Sequence, residues 1–586
     1  MTMKNFEGME TNIPGVYNKS EYPPQGGIIG APTSEVVVLG VTKGGIPYNA
    51  ADYDENDRIN SFTSPNQMLK ELIGGPAYYT AEFYLTPTKD PNLNTPSRVK
   101  VVGVNPSSRA TGTLKDAATN DIVDIKSRRY GALANQIARK VEAGTTRGYK
   151  ATVKFKGNVV GQKDNIALDF LSIQYTGSGS AATMSISGTQ LTTVCTGATG
   201  DNLTINFSDF PKLGDLVEYI NSQDAYTCSL KGRSDYLSNT MDKVTTQDVK
   251  TSVYNAMGNV EALIQFLNKE CQGEIIAALH ASADRAAIVA DSGFVFLTSG
   301  SDGSATNSDW ASALELLEKM GVNHVLAASG DAAVAALVDA HVNRMSQMEQ
   351  KKNRSAGGGA SSTTNTKSAR IAEMKALNSA RYSYGCTPFY RYDAPNGNIK
   401  TEFEPFYLAA MVAGIRFGNH LTTSSVFQTL NILGVAEKYS LDDKKDYLSA
   451  GGILVEEDAD GFAVVDELST FQGGNLILEN PSALRTCDHI TLDSQVKIKA
   501  RLKALKKAPN AIAIKEIQNF LITNLLPGYV RDGLLTEDPQ SGEPAFCDIE
   551  FDIRGDAFYF NFTGIIPLPL KFVFIKQKFV VIGQNR

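Results

Sequence analysis

The sequence predicts an α/β multidomain protein: a helix-covered, mostly parallel sheet core with an inserted β-rich domain, a C-terminal α+β domain and extended terminal arms. Three observations predict it. The chain has 586 residues, more than one hydrophobic core can serve, and roughly 100–200 residues per domain gives three to five units. Strand and helix patterns alternate after about residue 245, the rhythm of a parallel sheet covered by helices. Before that point, residues 100–244 are rich in Thr, Ser and Gly and carry period-two alternation instead.

Taken in order, residues 1–25 read as an N-terminal linking arm. They hold Gly8, Pro14, Gly15, Pro23 and Pro24 with almost no apolar periodicity, too little to order the segment alone. The core begins over 26–99. VVVLG at 36–40 is a buried strand; SPNQMLKELIGG at 64–75 is a short helix, with Ser64 as cap, Pro65 in the first turn and the glycine pair as its stop. Residues 100–244 form the inserted β-rich domain. Ile173/Tyr175, Met184/Ile186 and Leu203/Ile205/Phe207 alternate there, and one helix is expected near Leu213–Asn221.

The core resumes over 245–464. FVFLTSGSDG (294–303) reads as a strand entering a Gly-rich loop. SDWASALELLEKM follows as a helix with Trp310, Ala313, Leu314 and Leu317 on one face. VNHVLAA (322–328) is the next strand and residues 331–348 the next helix. KKNRSAGGGASSTTNTKSAR (351–370) reads as a mobile surface loop, because three consecutive glycines are flanked by Ser and Thr. Residues 465–586 form the C-terminal α+β domain. It has a basic helix at 494–507, a second helix at 515–526 stopped by Pro527 and Gly528, and three strands, CDIEFDIR, AFYFNFT and LKFVFIKQKFVV. The last supplies a linking strand over about 567–586.

Composition narrows the function. Apolar residues make up 42% and charged residues 20%, so the chain is neither disordered nor membrane-spanning in character. Lys and Arg total 56 against 63 Asp and Glu, a net charge of −7 that suits neither general nucleic-acid binding nor anionic membranes. No run of about 20 apolar residues predicts membrane insertion, and MTMKNFEGMETN has no apolar core of a secretory signal. Six cysteines without a CxxC pair and five scattered histidines predict no metal site and no cofactor.

Catalytic motifs are equally thin. SGSDGSA (299–305) sits between a strand and a helix, as a phosphate cradle would, but it lacks the lysine of GxxxxGK[ST] and the spacing of GxGxxG. A strand-to-helix turn capped by Asn307 or Ser308 is the simpler reading. Asp302, His324, Ser329 and His341 supply hydrolase residue types without a GxSxG elbow; His324 lies in an apolar strand and His341 on a helix, common places for structural histidines. Glu456/Glu457 and Asp442/Asp443 read as solvated charges. No catalytic, cofactor-binding or metal residue is predicted, and the protein is not expected to be an enzyme.

Two features point instead to assembly. Lys497, Lys499, Arg501, Lys503, Lys506 and Lys507 form a basic run with no acid between Gln495 and Ala508, read either as a solvated helix or as a docking surface for an acidic partner. No aromatic residues interleave with it, which argues against direct contact with nucleic acid. The two chain ends suit strand addition to a sheet of another copy. The residues placed in such links are Ile13, Pro14, Gly15, Val16 and Tyr17 in the arm, and Phe572, Phe574 and Phe579 in the last strand.

The motifs, in order, resemble one family. IPGVY (13–17), Pro23–Pro24 and GAPTSEVVVLG (30–40) are similar to the opening of contractile bacteriophage tail sheath proteins. FLTSGSDG (296–303), the Trp-bearing helix and VNHVLAA resemble the family's central segment. FYLAAMVAGIRFGNHLTTSS (406–425), LSAGGILVEEDADGFAVVDELST (448–470), ALRTCDHITLDSQVKIKARL (483–502) and LLPGYVRDGLL (525–535) continue the likeness into the C-terminal domain.

The resemblance implies a noncatalytic subunit of a contractile tail sheath. It would polymerise with itself as stacked rings around a tail tube, meet baseplate and tail-terminator proteins, and contract to drive the tube through a host cell envelope. It would belong to the virion tail, assembled in the bacterial host cytoplasm, with its C-terminal domain and the basic helix toward the tube and the inserted β-rich domain as the outer one. A sheath of a bacteriocin or secretion-type injection system is the alternative within the same architecture, and a hydrolase using residues 299–330 the alternative outside it.

Overall fold

The computed structural model describes residues 4–6, 9–11, 34–281, 283–361, 366–505, 511–554 and 557–577. The core is a seven-stranded sheet. Its strands are β1 (Val36–Gly40), β2 (Asn60–Phe62), β3 (Val99–Gly103), β4 (His324–Ala328), β5 (Ser355–Gly359), β6 (Tyr382–Gly385) and β7 (Gly452–Ile453). They lie in the order β7-β6-β5-β4-β1-β3-β2, parallel throughout except for β2, which runs antiparallel to β3 at the edge.

Both faces of this sheet are covered, as a parallel sheet requires. On one face Val36 and Val38 of β1 pack with α1 (Pro65–Leu72), α2 (Pro76–Leu85) and a later helix at Leu408–Gly418; on the other Val37 and Leu39 pack with Trp310, Val334, Val338 and Met374. Helix α1 starts at the expected cap, with Ser64 accepting from the Gln67 amide, but Ile73 rather than glycine is its left-handed closing residue, at φ 67°. Helix α3 (Asn307–Leu316) is capped by Thr306, not by Asn307 or Ser308. Thr306 and Asp309 exchange bonds in a capping box, which neither alternative could close with an acid three residues on.

The glycine run is the largest local departure from expectation. Residues 355–359 are not a surface loop but β5, a buried strand inside the sheet. The reason is close approach. A Cβ on Gly358 would overlap the Tyr382 hydroxyl, and one on Gly359 would overlap the Gly385 carbonyl oxygen and lie 2.9 Å from Phe406 Cα. Glycine gives up strand propensity here so that β6 and the chain entering the helix at Leu408–Gly418 can sit against the backbone.

The β-rich unit leaves the core after β3 and builds two separate hydrophobic cores. In one, strands of two small sheets enclose Ile125, Val141, Val153 and the helix Asn259–Lys269; in the other, two sheets and the helix Leu213–Asn221 enclose Phe170, Ile173, Met184 and Leu216. Its pairing runs past the expected limit at 244. Val244–Asp248, Tyr254–Met257, Ile275–Leu279 and Val295–Phe296 all bond to strands of this unit, so FVFLTSGSDG belongs to it and not to the parallel sheet. A strand, a glycine-rich turn and a helix carry the same local signature whichever sheet the strand joins.

In the C-terminal unit α4 (Pro481–Leu505), α5 (Ala511–Phe520), the π-helical segment Leu521–Leu525 and the helix Leu526–Arg531 support an antiparallel hairpin of β8 (Phe546–Arg554) and β9 (Ala557–Gly564). Pro527 and Gly528 do not stop the helix, because Pro527 falls in the first turn of Leu526–Arg531, where its missing amide hydrogen costs no bond. Phe551, Phe558, Phe560 and Phe562 pack inward against Leu521, Leu525 and Tyr529. Over its described residues, 570–577, the third expected strand is not formed: residues 567–577 follow β9 without regular secondary structure. Among the described residues none of its backbone groups is hydrogen-bonded to the rest of the chain. At the other end the arm contains a small hairpin, Lys4–Phe6 with Met9–Thr11. Ile13, Pro14, Gly15, Val16, Tyr17, Lys506, Lys507 and Phe579 lie outside the described residues.

Candidate assembly surface

The residue types considered for catalysis are scattered and occupied. His324 is 1% exposed inside β4, its Nδ1 2.8 Å from Ser355 Oγ; burial, then the charges of Arg416 and Arg485, push its pKa well down and keep the ring neutral. His341 lies against Arg354 (3.1 Å), and burial with that guanidinium lowers it to about 4. Ser329 accepts from the Asp331 amide at a helix start, and Asp302 accepts from the Ala132 amide (2.7 Å). No nucleophile–base pair arises among these four, and among the described residues no group of three His, Cys, Asp or Glu could hold a metal ion.

The SGSDG turn instead joins the β-rich unit to the core. Asn105 is fully buried; its side chain accepts from the Thr42 amide (2.9 Å) and donates to the carbonyls of Thr42 (2.9 Å) and Asp302 (2.5 Å). One asparagine thus ties β1, β3 and the returning loop. Nothing in the sequence marked it, since a lone Asn after a strand is an ordinary turn residue.

The C-terminal unit docks at the opposite end of the sheet. Asp488 on α4 takes a bidentate pair from Arg381 (2.6 and 2.9 Å) and a bond from Asn353 (2.9 Å), residues just before β6 and β5. Arg485 donates to the Arg416 carbonyl, and its guanidinium lies 4.4 Å from the Phe417 ring centroid. Beneath them Arg416 and Glu467, each 1% exposed on the side chain, form a buried ion pair. Burial alone would raise the Glu467 carboxyl. Arg416, with bonds from Ser424 and Ser425, holds it below its ordinary value. The chain also enters β1 at this end, beside Asn323, whose amide donates to Glu35 (2.8 Å). The start of the core and the C-terminal unit therefore share one end of the sheet, while the β-rich unit leaves from the other.

On α4 the basic residues do not act together. Lys497 is paired to Asp493 (2.7 Å) and lies over Tyr529, and Arg501 lies 6.0 Å from the Phe520 ring centroid, so both turn onto their own unit. Lys499 and Lys503 are exposed, flanked by exposed Val496 and Leu502. The surface is a mixed apolar and basic stripe and not a continuous cationic face.

The hairpin and the tail make the other half. Outside the β8–β9 pairing, neither strand is paired with a further strand among the described residues, so each keeps an outer edge. The tail carries Leu570 (80% exposed), Phe572 and Phe574 (94%); the two phenylalanine rings lie parallel on one side, centroids 6.4 Å apart. Alternating apolar residues beside strand edges that pair with no further strand among the described residues are the two halves of a strand-addition joint.

Residues 303–470 match the family described as phage tail sheath protein central domain. The segment runs from the end of the SGSDG turn to Thr470, spanning α3, the later strands of the parallel sheet and the buried Arg416–Glu467 pair. Among solved structures, the sheath tail protein of Desulfitobacterium hafniense aligns over 94% of this chain and 100% of its own at TM-score 0.54 and 13% identity. The sheath tail protein of Listeria innocua aligns over 91% and 95% at TM-score 0.50 and 14% identity. At such identities the likeness shows a shared fold. No curated protein matches the chain.

Proposed function

We propose that this chain, which carries a phage tail sheath central domain and so has a structural rather than an enzymatic role, is the repeating subunit of a contractile tail sheath. Copies stack as rings around a tail tube, held extended in a metastable state. Baseplate contact releases them to rotate and compress, and the tube passes through a host envelope. The hydrolase reading is set aside, because the residues it needs are engaged in packing and capping at separate places. A sheath of a non-phage injection machine remains the second reading, since its subunit would be built alike.

The observation that carries the proposal beyond the central domain is the unpaired tail beside a two-edged hairpin. In the assembly the tail, and the N-terminal arm with Ile13–Tyr17, complete hairpin sheets of neighbouring copies. Each main-chain bond formed contributes about 0.5–1.5 kcal/mol, and each large apolar side chain removed from water about 1.5–3 kcal/mol. Four bonds with Leu570, Phe572 and Phe574 buried come to roughly 10 kcal/mol gross, enough to keep subunits linked while their bodies turn. Lys499 and Lys503 face the tube. Exposed charge pairs are weak, about 0–1 kcal/mol, so such contacts hold the extended state and still let go.

Microscopy of the purified chain tests this. Cylinders of uniform width are expected, and removal of residues 567–586 should leave folded monomers. A monodisperse full chain that never forms cylinders at any concentration, or cylinders from the truncated chain, would refute it.

A further inference from the structure

One contact is at odds with a freely available tail. Between Leu570 and Gln577 every residue is exposed except Lys571. Its Nζ lies 2.5 Å from Asp466 Oδ1, with side chains only 13% and 17% exposed. The seat is built before the lysine arrives. The same Asp466 oxygen accepts from the Glu467 amide (2.7 Å), and Glu467 is itself fixed by the buried pair with Arg416 and by Ser424 and Ser425. A rigid, half-buried carboxylate on the core thus grips one residue of an otherwise exposed strand, four residues downstream of Pro567 and beside the two stacked phenylalanines.

We propose that Lys571–Asp466 is a releasable latch that parks the C-terminal segment on its own subunit until a neighbouring copy takes it up. This rests on the strand-exchange reading of the tail. A free alternating strand ending in FVFIKQKFVV is a hazard in an unassembled chain, because it can add to any exposed edge. A single ion pair is suited to guarding it. It fixes the strand's position without using its backbone groups, and it is one contact set against the full ladder of main-chain bonds that a neighbouring hairpin offers. Release then happens only where an accepting hairpin is presented.

Two single variants of the full chain test the latch. Asp466→Asn keeps the shape and still accepts from the Glu467 amide; Lys571→Gln changes only the tail, outside any hydrophobic core. Both should shorten the lag of polymerisation, followed by light scattering, by about tenfold or more. Both should also speed tryptic cleavage after Lys576 in the unassembled chain by a similar factor. The double variant Asp466→Lys with Lys571→Asp should return both rates toward the starting protein. Unchanged rates in both single variants overturn the latch, and so does slower assembly, which would make the contact a permanent anchor. Truncation at residue 566 separates the two claims. If it abolishes polymers while the single variants behave as wild type, the latch alone fails; if the truncated chain polymerises normally, strand exchange fails and the latch with it.

Discussion

Gly359→Ala probes the element that the sequence disguises most. The new Cβ would overlap the Gly385 carbonyl oxygen and approach Gly385 N and Phe406 Cα at 2.9 Å, all backbone atoms of neighbours that cannot rotate away. Gly357→Ala in the same strand is a matched control: its Cβ would meet His324 Nε2 and Leu326 Cδ2 at 3.2 Å and Ala409 Cβ at 3.3 Å, mostly side-chain atoms able to yield a few tenths of an ångström. Overpacking a rigid core costs about 1–3 kcal/mol, and Gly359 belongs at the upper end. For a unit of 150–250 residues, 2–3 kcal/mol lowers the melting temperature by roughly 5–10 °C. Calorimetry should show the core transition falling by that amount for Gly359→Ala, and by less than about half as much for Gly357→Ala. Equal stability of Gly359→Ala and wild type would refute the account of β5 as a strand held by close backbone approach.

Other consequences follow from the same structure. His341 is held neutral down to about pH 4 in the folded chain, whereas in the unfolded chain it takes up a proton below its ordinary 6.5. Stability from this group is therefore complete above about pH 6.5 and falls as pH drops toward 4, by roughly 3 kcal/mol in all. Buried His324 adds a loss of the same sign, and urea midpoints measured from pH 7.5 to 4.5 should slope accordingly, less steeply in His341→Gln. Asp488→Ala leaves Arg381 half-buried without its carboxylate, at a cost of roughly 3 kcal/mol. It should expose the chain near 471–480 to limited proteolysis, and resistance equal to wild type would count against Asp488 as the fastener. Lys499→Glu with Lys503→Glu should leave the fold and self-polymers intact but abolish co-assembly with an acidic tube protein; unaltered co-sedimentation would remove the helix from the tube interface.

Much of the core was legible because its strands are apolar on both faces. VVVLG and HVLAA announce buried parallel strands, and α3 shows a single apolar stripe of Trp310, Ala313 and Leu314. β5 was not legible, since Ala-Gly-Gly-Gly has no side chains to display a period and carries the composition of a loop. The far boundary of the β-rich unit was hidden because sheet membership is a long-range property: Val295 pairs with Arg139 across more of the chain than any local pattern spans. On the assembly surface the alternation of Phe572 and Phe574 suggested a strand, but no strand pairs with residues 570–577 among the described residues, because pairing needs a partner edge that a local pattern does not supply. That Lys497 and Arg501 turn inward follows from helix rotation set by Asp493, Tyr529 and Phe520, which composition does not reveal. Asn105 and Asp466 matter through what they touch, and a single sequence gives polar residues of that kind no distinguishing mark.

The most direct measurement is an electron cryomicroscopy map of the polymer at a resolution that traces main chain around the β8–β9 hairpin. A sheet of more than two strands is expected there, with residues 570–577 of another copy bonded to an outer edge and Phe572 and Phe574 covered. A map in which that hairpin stays two-stranded, with each tail lying on its own subunit and Lys571 still at Asp466, would contradict strand exchange.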